Sequence, residues 1–212
     1  MPKTIFVAGT RRNAGKTLVS EFLLRSLPGS GAIKLTCCRH DKACPRERPC
    51  GVCGALGAPF AVILEHAVLS QPGKDTARLL AAASGRVVWL QSREAVLAEA
   101  MAAALSRLDT EPVVVVEGNA AFQAAEPDLG VLVAGPGREP PKPSVNFVLR
   151  KVGVVVRNLR PGLPPPTVIH GLREGIAEFA FDAGNPEGDP SARAFIEWVG
   201  GRLKLGQRGA RS

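Results

Sequence analysis

Tyrosine is absent from the 212 residues, and aromatic side chains make up only 5% of them. The stacking surfaces on which unpaired bases are read therefore have little to be built from, and no RNA-binding aromatic pattern is present. Long apolar runs are missing too, since the stretch FAVILEHAVL is broken by Glu65 and His66, well short of a membrane span. No charged segment followed by an apolar one reads as a secretory signal. The expectation is a soluble, cytoplasmic protein without a membrane partner. Acidic residues are in deficit, 19 against 27 Lys and Arg, giving a formal net charge of +8 and a pI near 9.7. A positive field suits anionic nucleotides as well as nucleic acid. The arginines are scattered rather than striped, apart from the tail GQRGARS, so nucleic acid is not the favoured partner. Residues 206–212 read as a disordered terminus.

Hydrophobic content of 45% and charged content of 22% are ordinary for a globular chain. Apolar segments alternate in type along it. TIFVA (4–8), a second strand over 32–36, RVVWL, PVVVVEGN, LGVLVA and KVGVVVRN read as strands. LVSEFLLRSL, a short helix after QPGKDT, SREAVLAEAMAAALSRL and DPSARAFIEWVGGRLKL read as helices. In the last of these Asp189 is the expected N-cap and Pro190 the first helical residue. Valine runs without alternation belong to sheets covered on both faces. Strands interleaved with helices predict a doubly wound, mostly parallel α/β sheet of Rossmann-like type. Two proline-rich loops, AGPGREPPKPS and RPGLPPP, do not divide the chain, so residues 1–205 read as one domain with a Cys-rich insert over 37–58.

The first strand and helix flank FVAGTRRNAGKT. The usual phosphate loop is G-x-x-x-x-G-K followed by Thr or Ser, whereas here five residues separate Gly9 from Gly15. In strict register Thr10 holds the first glycine position. A strand before the loop and a helix after it supply the context the motif requires. Gly9, Thr10, Arg11, Arg12, Asn13, Ala14, Gly15, Lys16 and Thr17 then form a cradle of amide groups at a helix N-terminus. Gly15 admits close approach, Lys16 reaches the outer phosphates, and the Thr17 hydroxyl suits Mg²⁺.

Three further positions follow predicted strands or turns. Glu117 ends an otherwise apolar strand, where it either holds Mg²⁺, directly or through water, or caps a following turn. The metal role is preferred because such an acid needs a charged partner. Asn158 is either a reader of a purine edge or a turn residue. In PGKDT, Pro72-Gly73 makes a turn, Asp75 is expected to cap a helix from Thr76, and Lys74 points a cation into the loop.

GTRRNAGKT, together with the EG of VVVVEG, resembles dethiobiotin synthetase and related amidoligase-type phosphate-loop proteins. On that likeness Arg11 or Arg12 stands near an extra lysine of related loops. QPGKDTARLLAAASGRVVWL, the IKL of the second strand and VVVVEG are similar to MobB-like proteins of molybdopterin-guanine dinucleotide synthesis. Both groups belong to the SIMIBI class of phosphate-loop NTPases, and the likeness covers roughly residues 4–36 and 71–134. It implies that Lys16 and Thr17 bind phosphate and Mg²⁺, and that Lys34, Lys74, Asp75 and Arg78 line the nucleotide or partner site. Phosphoryl transfer would use Lys16, with Glu117 or Asp75 orienting the metal's water and Arg11 or Arg12 covering the transferred group. The implied ligands are Mg²⁺ with GTP or ATP. The implied partner is a protein of cofactor maturation, and a homodimer is compatible with that role.

All five cysteines lie in TCCRHDKACPRERPCGVCG: Cys37, Cys38, Cys44, Cys50 and Cys53. Disulfides are disfavoured in the cytosol, and C-G-V-C-G has the form of a metal knuckle. One cysteine of the Cys37/Cys38 pair with Cys44, Cys50 and Cys53 would complete four thiolates for Zn²⁺ or a 4Fe–4S cluster, with His40 as a substitute ligand. A reduced loop or a redox disulfide is the alternative. Three functions remain in view: a nucleotide-dependent maturation factor, an ATP-dependent ligase of the dethiobiotin synthetase type, and a metal-binding nucleic-acid or protein interaction module.

Overall fold

A computed structural model of the chain describes residues 1–38, 57–137 and 139–205. Residues 39–56, which hold Cys44, Cys50, Cys53 and most of the cysteine-rich insert, lie outside the described residues, as does the tail from 206. The strands are β1 (Lys3–Gly9), β2 (Gly31–Cys38), β3 (Phe60–Ile63), β4 (Val87–Arg93), β5 (Val113–Glu117), β6 (Leu129–Ala134), β7 (Val154–Asn158) and β8 (Ala177–Phe181). The helices are α1 (Lys16–Ser26), α2 (His66–Leu69), α3 (Asp75–Ala82), α4 (Leu97–Ser106), α5 (Ala121–Ala124), α6 (Val145–Val148) and α7 (Pro190–Leu203).

The eight strands form one sheet in the order β3-β4-β2-β5-β1-β6-β7-β8. Every pairing is parallel except that of β3 with β4. Successive valines serve opposite faces, as the two-residue period of a strand requires. Ile5, Val7, Val113, Val115, Val131 and Val133 pack with α1, α3 and α7 through Val19, Leu23, Leu79, Phe195 and Val199. Phe6, Ala8, Val114, Val116 and Leu132 pack with α4, α5 and α6 through Leu97, Met101, Phe122 and Val148. With both faces covered, a polar strand position needs a partner, which is why the central strands are mostly apolar and rich in valine. The α/β, mostly parallel, single-domain architecture expected from the sequence is therefore observed, and it is compatible with a Rossmann-like fold.

Three details differ from the sequence reading. Ser92 and Arg93 stay in β4, pairing with Cys37 and Cys38. A 3₁₀ turn over Glu94–Val96 follows, so α4 starts only at Leu97. An eighth strand, AEFAF, lies at the sheet edge. Its one-sided pattern, with Phe179 and Phe181 against Phe195 and Phe22, differs from the valine runs that mark the others. Finally, β3 and α2 divide the apolar stretch 60–69 into an antiparallel edge strand and a single turn of helix.

The layout opens a crevice at the carboxyl edge. The chain leaves β1 through α1 on one face and leaves β5 through α5 on the other, while β2 and β6 lie on opposite sides of the β5-β1 pair. Loops after β1 and β5 therefore part from each other, the place where open α/β sheets bind ligands.

At the far end of the chain, Asp189 caps α7 as its sequence predicts, its Oδ1 accepting from the amides of Ser191 and Ala192 at 2.8 and 3.2 Å, with Pro190 at the first helical position. Asp189→Ala should cost about 1 kcal/mol and lower Tm by roughly 2–4 °C for a domain of this size, measured by calorimetry.

Candidate functional site

Between Gly9 and Gly15 the chain at first stays close to the sheet. Thr10, just past β1, donates its amide to the Val133 carbonyl at 2.9 Å, while its hydroxyl accepts from the Gly135 amide at 3.2 Å. Arg11–Ala14 then bridge to Gly15, the four-residue interval expected of a phosphate loop. Asn13 turns the chain at φ 58° and Gly15 caps α1 at φ 101°, conformations open to asparagine and glycine at little cost. A Cβ on Gly9 would lie 2.8 Å from Lys16 Cγ, so this glycine makes room for the lysine stem to fold back over the loop.

Helix α1 has no side-chain N-cap and no acid in its first turn. Its first amides and the positive end of its dipole are left facing the crevice. The cleft there has a volume of about 450 Å³. Arg12, Lys16, Lys34, Arg78 and Arg160 line it against two acids, Asp75 and Glu117. That balance favours an anion.

Glu117 sits at its centre. The register places Val7, Glu117 and Lys34 side by side across β1, β5 and β2, and parity turns Glu117 to the α1 face, as for Val113 and Val115. Its side chain is 1% exposed. Oε1 accepts from Thr17 Oγ1 at 3.0 Å and from Lys34 Nζ at 2.6 Å. Oε2 is buried with no hydrogen-bond partner among the described residues. Lys34 also binds Asp75, at the start of α3. Burial depresses the Lys16 pKa from its ordinary 10.5, with the neighbouring Lys34 adding to the effect and Glu117 opposing it. Burial works the same way on Lys34, but Glu117 and Asp75 outweigh it and its pKa rises. Burial pushes Asp75 up, yet Lys34 prevails and holds it below its ordinary 3.8.

An unpaired buried carboxylate oxygen beside a hydroxyl makes a hard, all-oxygen donor set. It suits Mg²⁺, which takes one or two protein oxygens and completes its shell with phosphate and water. Among the described residues no group of three or more His, Cys, Asp or Glu side chains could hold a metal, so Thr17 and Glu117 would need further oxygen ligands from outside the chain.

Of the expected residues, the cleft gathers Arg12, Asn13, Gly15, Lys16, Thr17, Lys34, Asp75, Arg78 and Glu117. Arg78 is held there by Glu21 of α1, Nε to Oε1 at 2.6 Å. Other expectations need correction. Asp75 does not cap α3; Lys74 occupies the cap position, and the Asp75 carboxylate is drawn to Lys34 instead. Lys74 itself is exposed and does not line the cleft. Arg11 turns away from the cleft, donating to the Gly135 carbonyl at 3.1 Å and pairing with Glu139 at 3.4 Å, which leaves Arg12 as the loop's arginine at the cleft. Asn158 is fully buried beneath the loop, where Nδ2 donates to the Ala14 carbonyl and Oδ1 accepts from Ala183, both at 3.0 Å. It buttresses the loop rather than offering an edge to a base. A Cβ on Gly15 would come within 2.3 Å of that amide.

Asn119 is a site-shaping residue that its sequence position did not mark. Its side-chain amide pairs with both the N–H and the C=O of Gly9, at 2.9 and 3.0 Å, and also reaches Ser144. The signal available was its place directly after the Glu117-Gly118 pair at the close of β5. The two proline-rich loops form a further support. They join at a parallel bridge between Gly137 and Pro166, and Lys142 donates its amide to the Thr10 carbonyl at 2.8 Å. Cys37 and Cys38 end β2 and, being consecutive in a strand, face opposite sides of the sheet. Cys44, Cys50 and Cys53 lie outside the described residues.

Fold and site together define an α/β protein with a polar, cationic cleft at the carboxyl edge of its central strands. No model of a known protein family matches the chain, and no curated protein is significantly similar to it.

Asn158→Ala would leave a buried carbonyl and a buried amide without partners, and should cost about 1–3 kcal/mol in urea unfolding. A pH dependence follows from the lysine–carboxylate pair. Asp75, with a depressed pKa, adds stability above its ordinary value, lost as pH falls through the folded one. Lys34, with a raised pKa, adds stability below 10.5, lost as pH rises through the higher folded value. The stability gap between the wild type and Asp75→Asn should therefore hold across neutral pH and narrow at both the acid and the alkaline end.

Proposed function

We propose that the protein is a phosphate-loop nucleotide-binding protein that takes GTP or ATP with Mg²⁺ and hydrolyses it as a maturation factor for a cofactor, in the manner of the MobB-like proteins it resembles. The observation that carries this reading is the buried Glu117 carboxylate, with one oxygen unpartnered, facing Thr17 and Lys16 at an uncapped helix N-terminus. Loop amides and Lys16 hold the polyphosphate. Thr17 and Glu117 would hold Mg²⁺, which supplies charge neutralisation at the terminal phosphates. Asp75, the more exposed acid, orients the attacking water, and Arg12 covers the transferred group.

A ligase of the dethiobiotin synthetase type would need cations of its own for a second substrate, with Lys34 and Lys74 as the candidates. Lys34 is already matched by two carboxylates, and Lys74 lies outside the cleft. This favours the maturation factor. An interaction surface for a protein partner is available in the joined proline loops, where Leu163 and Val168 are exposed.

Calorimetric titration with ATP and GTP, with and without magnesium, tests the reading. Wild type should bind one of the two only when Mg²⁺ is present. Lys16→Ala should abolish binding up to about millimolar nucleotide, and Glu117→Gln should weaken it by about tenfold or more while removing its magnesium dependence. Unchanged affinity in Lys16→Ala would defeat the assignment.

A further inference from the structure

The cleft holds a cation of its own. Lys34 projects from the middle of β2, at the register position opposite Glu117, and its ammonium touches both that carboxylate and Asp75. The acid it meets on β5 is almost wholly buried, so whatever neutralises it must come from the protein or arrive as a ligand. Thr17 reaches the same oxygen, Oε1, that Lys34 occupies, and leaves Oε2 bare. Two carboxylates, a hydroxyl and an ammonium thus crowd one point at the end of α1.

Resting on the reading of Glu117 and Thr17 as magnesium ligands, we propose that Lys34 is a built-in counter-cation that keeps Mg²⁺ out of the site until nucleotide brings it, by holding Glu117 and Asp75 in the metal-free protein. The physical reason is charge. A divalent ion at the open Glu117 Oε2 meets an ammonium already 2.6 Å from Oε1 of the same carboxylate, and without phosphate only Thr17, Glu117 and the Lys34-bound Asp75 can replace its water. Magnesium sheds water reluctantly, so the protein alone is a poor match for it. A polyphosphate adds oxygen ligands for the metal and negative charge to receive Lys34. Metal and nucleotide would then enter as one unit, and Lys34, released from Asp75, would loosen the start of α3.

Lys34 here is a positioning residue, and its test reads stability rather than turnover. The probe is MgCl₂ alone, without nucleotide, followed by thermal unfolding. Wild type should show little change in Tm with magnesium. Lys34→Met keeps the stem but leaves Glu117 charged and unmatched, so its Tm should fall by roughly 6 °C or more. Magnesium should restore most of that loss, with an apparent affinity at least about tenfold tighter than that of wild type. Should Lys34→Met not fold in buffer alone, recovery of cooperative unfolding on refolding with MgCl₂ is the same readout. The Lys34→Met/Glu117→Gln double variant removes the unmatched charge, so it should regain stability without metal and ignore magnesium. Equal magnesium responses in wild type and Lys34→Met would overturn the proposal. If in addition Glu117→Gln binds nucleotide with unchanged magnesium dependence, the metal-ligand reading fails with it. If that dependence is lost as expected, only the counter-cation role falls.

Discussion

A carboxylate buried at the end of an all-valine strand has to be met by positive charge or strong donors, because a bare charge in a low-dielectric interior costs several kcal/mol. Glu117 is that carboxylate, and the arrangement around it reads as a set of answers. Lys34 comes from the neighbouring strand in register, and Lys16 and Thr17 both come from the first turn of α1. Asp75 then balances the lysine from the other side. These groups come from four elements, so the charge cluster also fixes β2, β5, α1 and α3 relative to one another.

The loop over this cluster is held from several directions. Asn119 imitates a strand along Gly9, Asn158 supports Ala14 from below, and Gly135 comes so close that a Cβ there would lie 2.5 Å from the Ala14 backbone. Arg11 and Lys142 tie the proline-rich loop to its start. A loop fixed in this way has its amides oriented before any anion arrives, which reduces the ordering cost of binding. The cost of that rigidity is intolerance to change, since Gly9, Gly15 and Gly135 each stand where a side chain would collide.

Legibility in the sequence followed chemistry that is local. The strand–loop–helix context of GTRRNAGKT, the valine strands, and the Asp189-Pro190 start of α7 each depend on neighbours a few residues apart, and each is found where its pattern places it. The acid of VVVVEG was legible for a related reason: a charge terminating an apolar run signals a partner. The places of Lys74, Arg11 and Asn158 were not legible, because the direction of a side chain is settled by what lies across the fold. Arg11 has Glu139 and Gly135 to turn to, and Asn158 finds an unpaired carbonyl 144 positions away. Edge strand β8 escaped notice because an edge is covered on one side by aromatics and needs no valine run.

What the sequence by itself determined is the alternation of elements, the helix that opens at Lys16, and the types of charge available at the strand ends, since propensity, apolar periodicity and capping act over short spans of chain. Only the tertiary structure decided that Thr10, just past β1, is tied to Val133 and Gly135, which leaves four residues to bridge to Gly15. Only it decided that Lys34 faces Glu117 rather than solvent, because strand register across β2, β5 and β1 is set by the packing of both faces at once and not by any one segment.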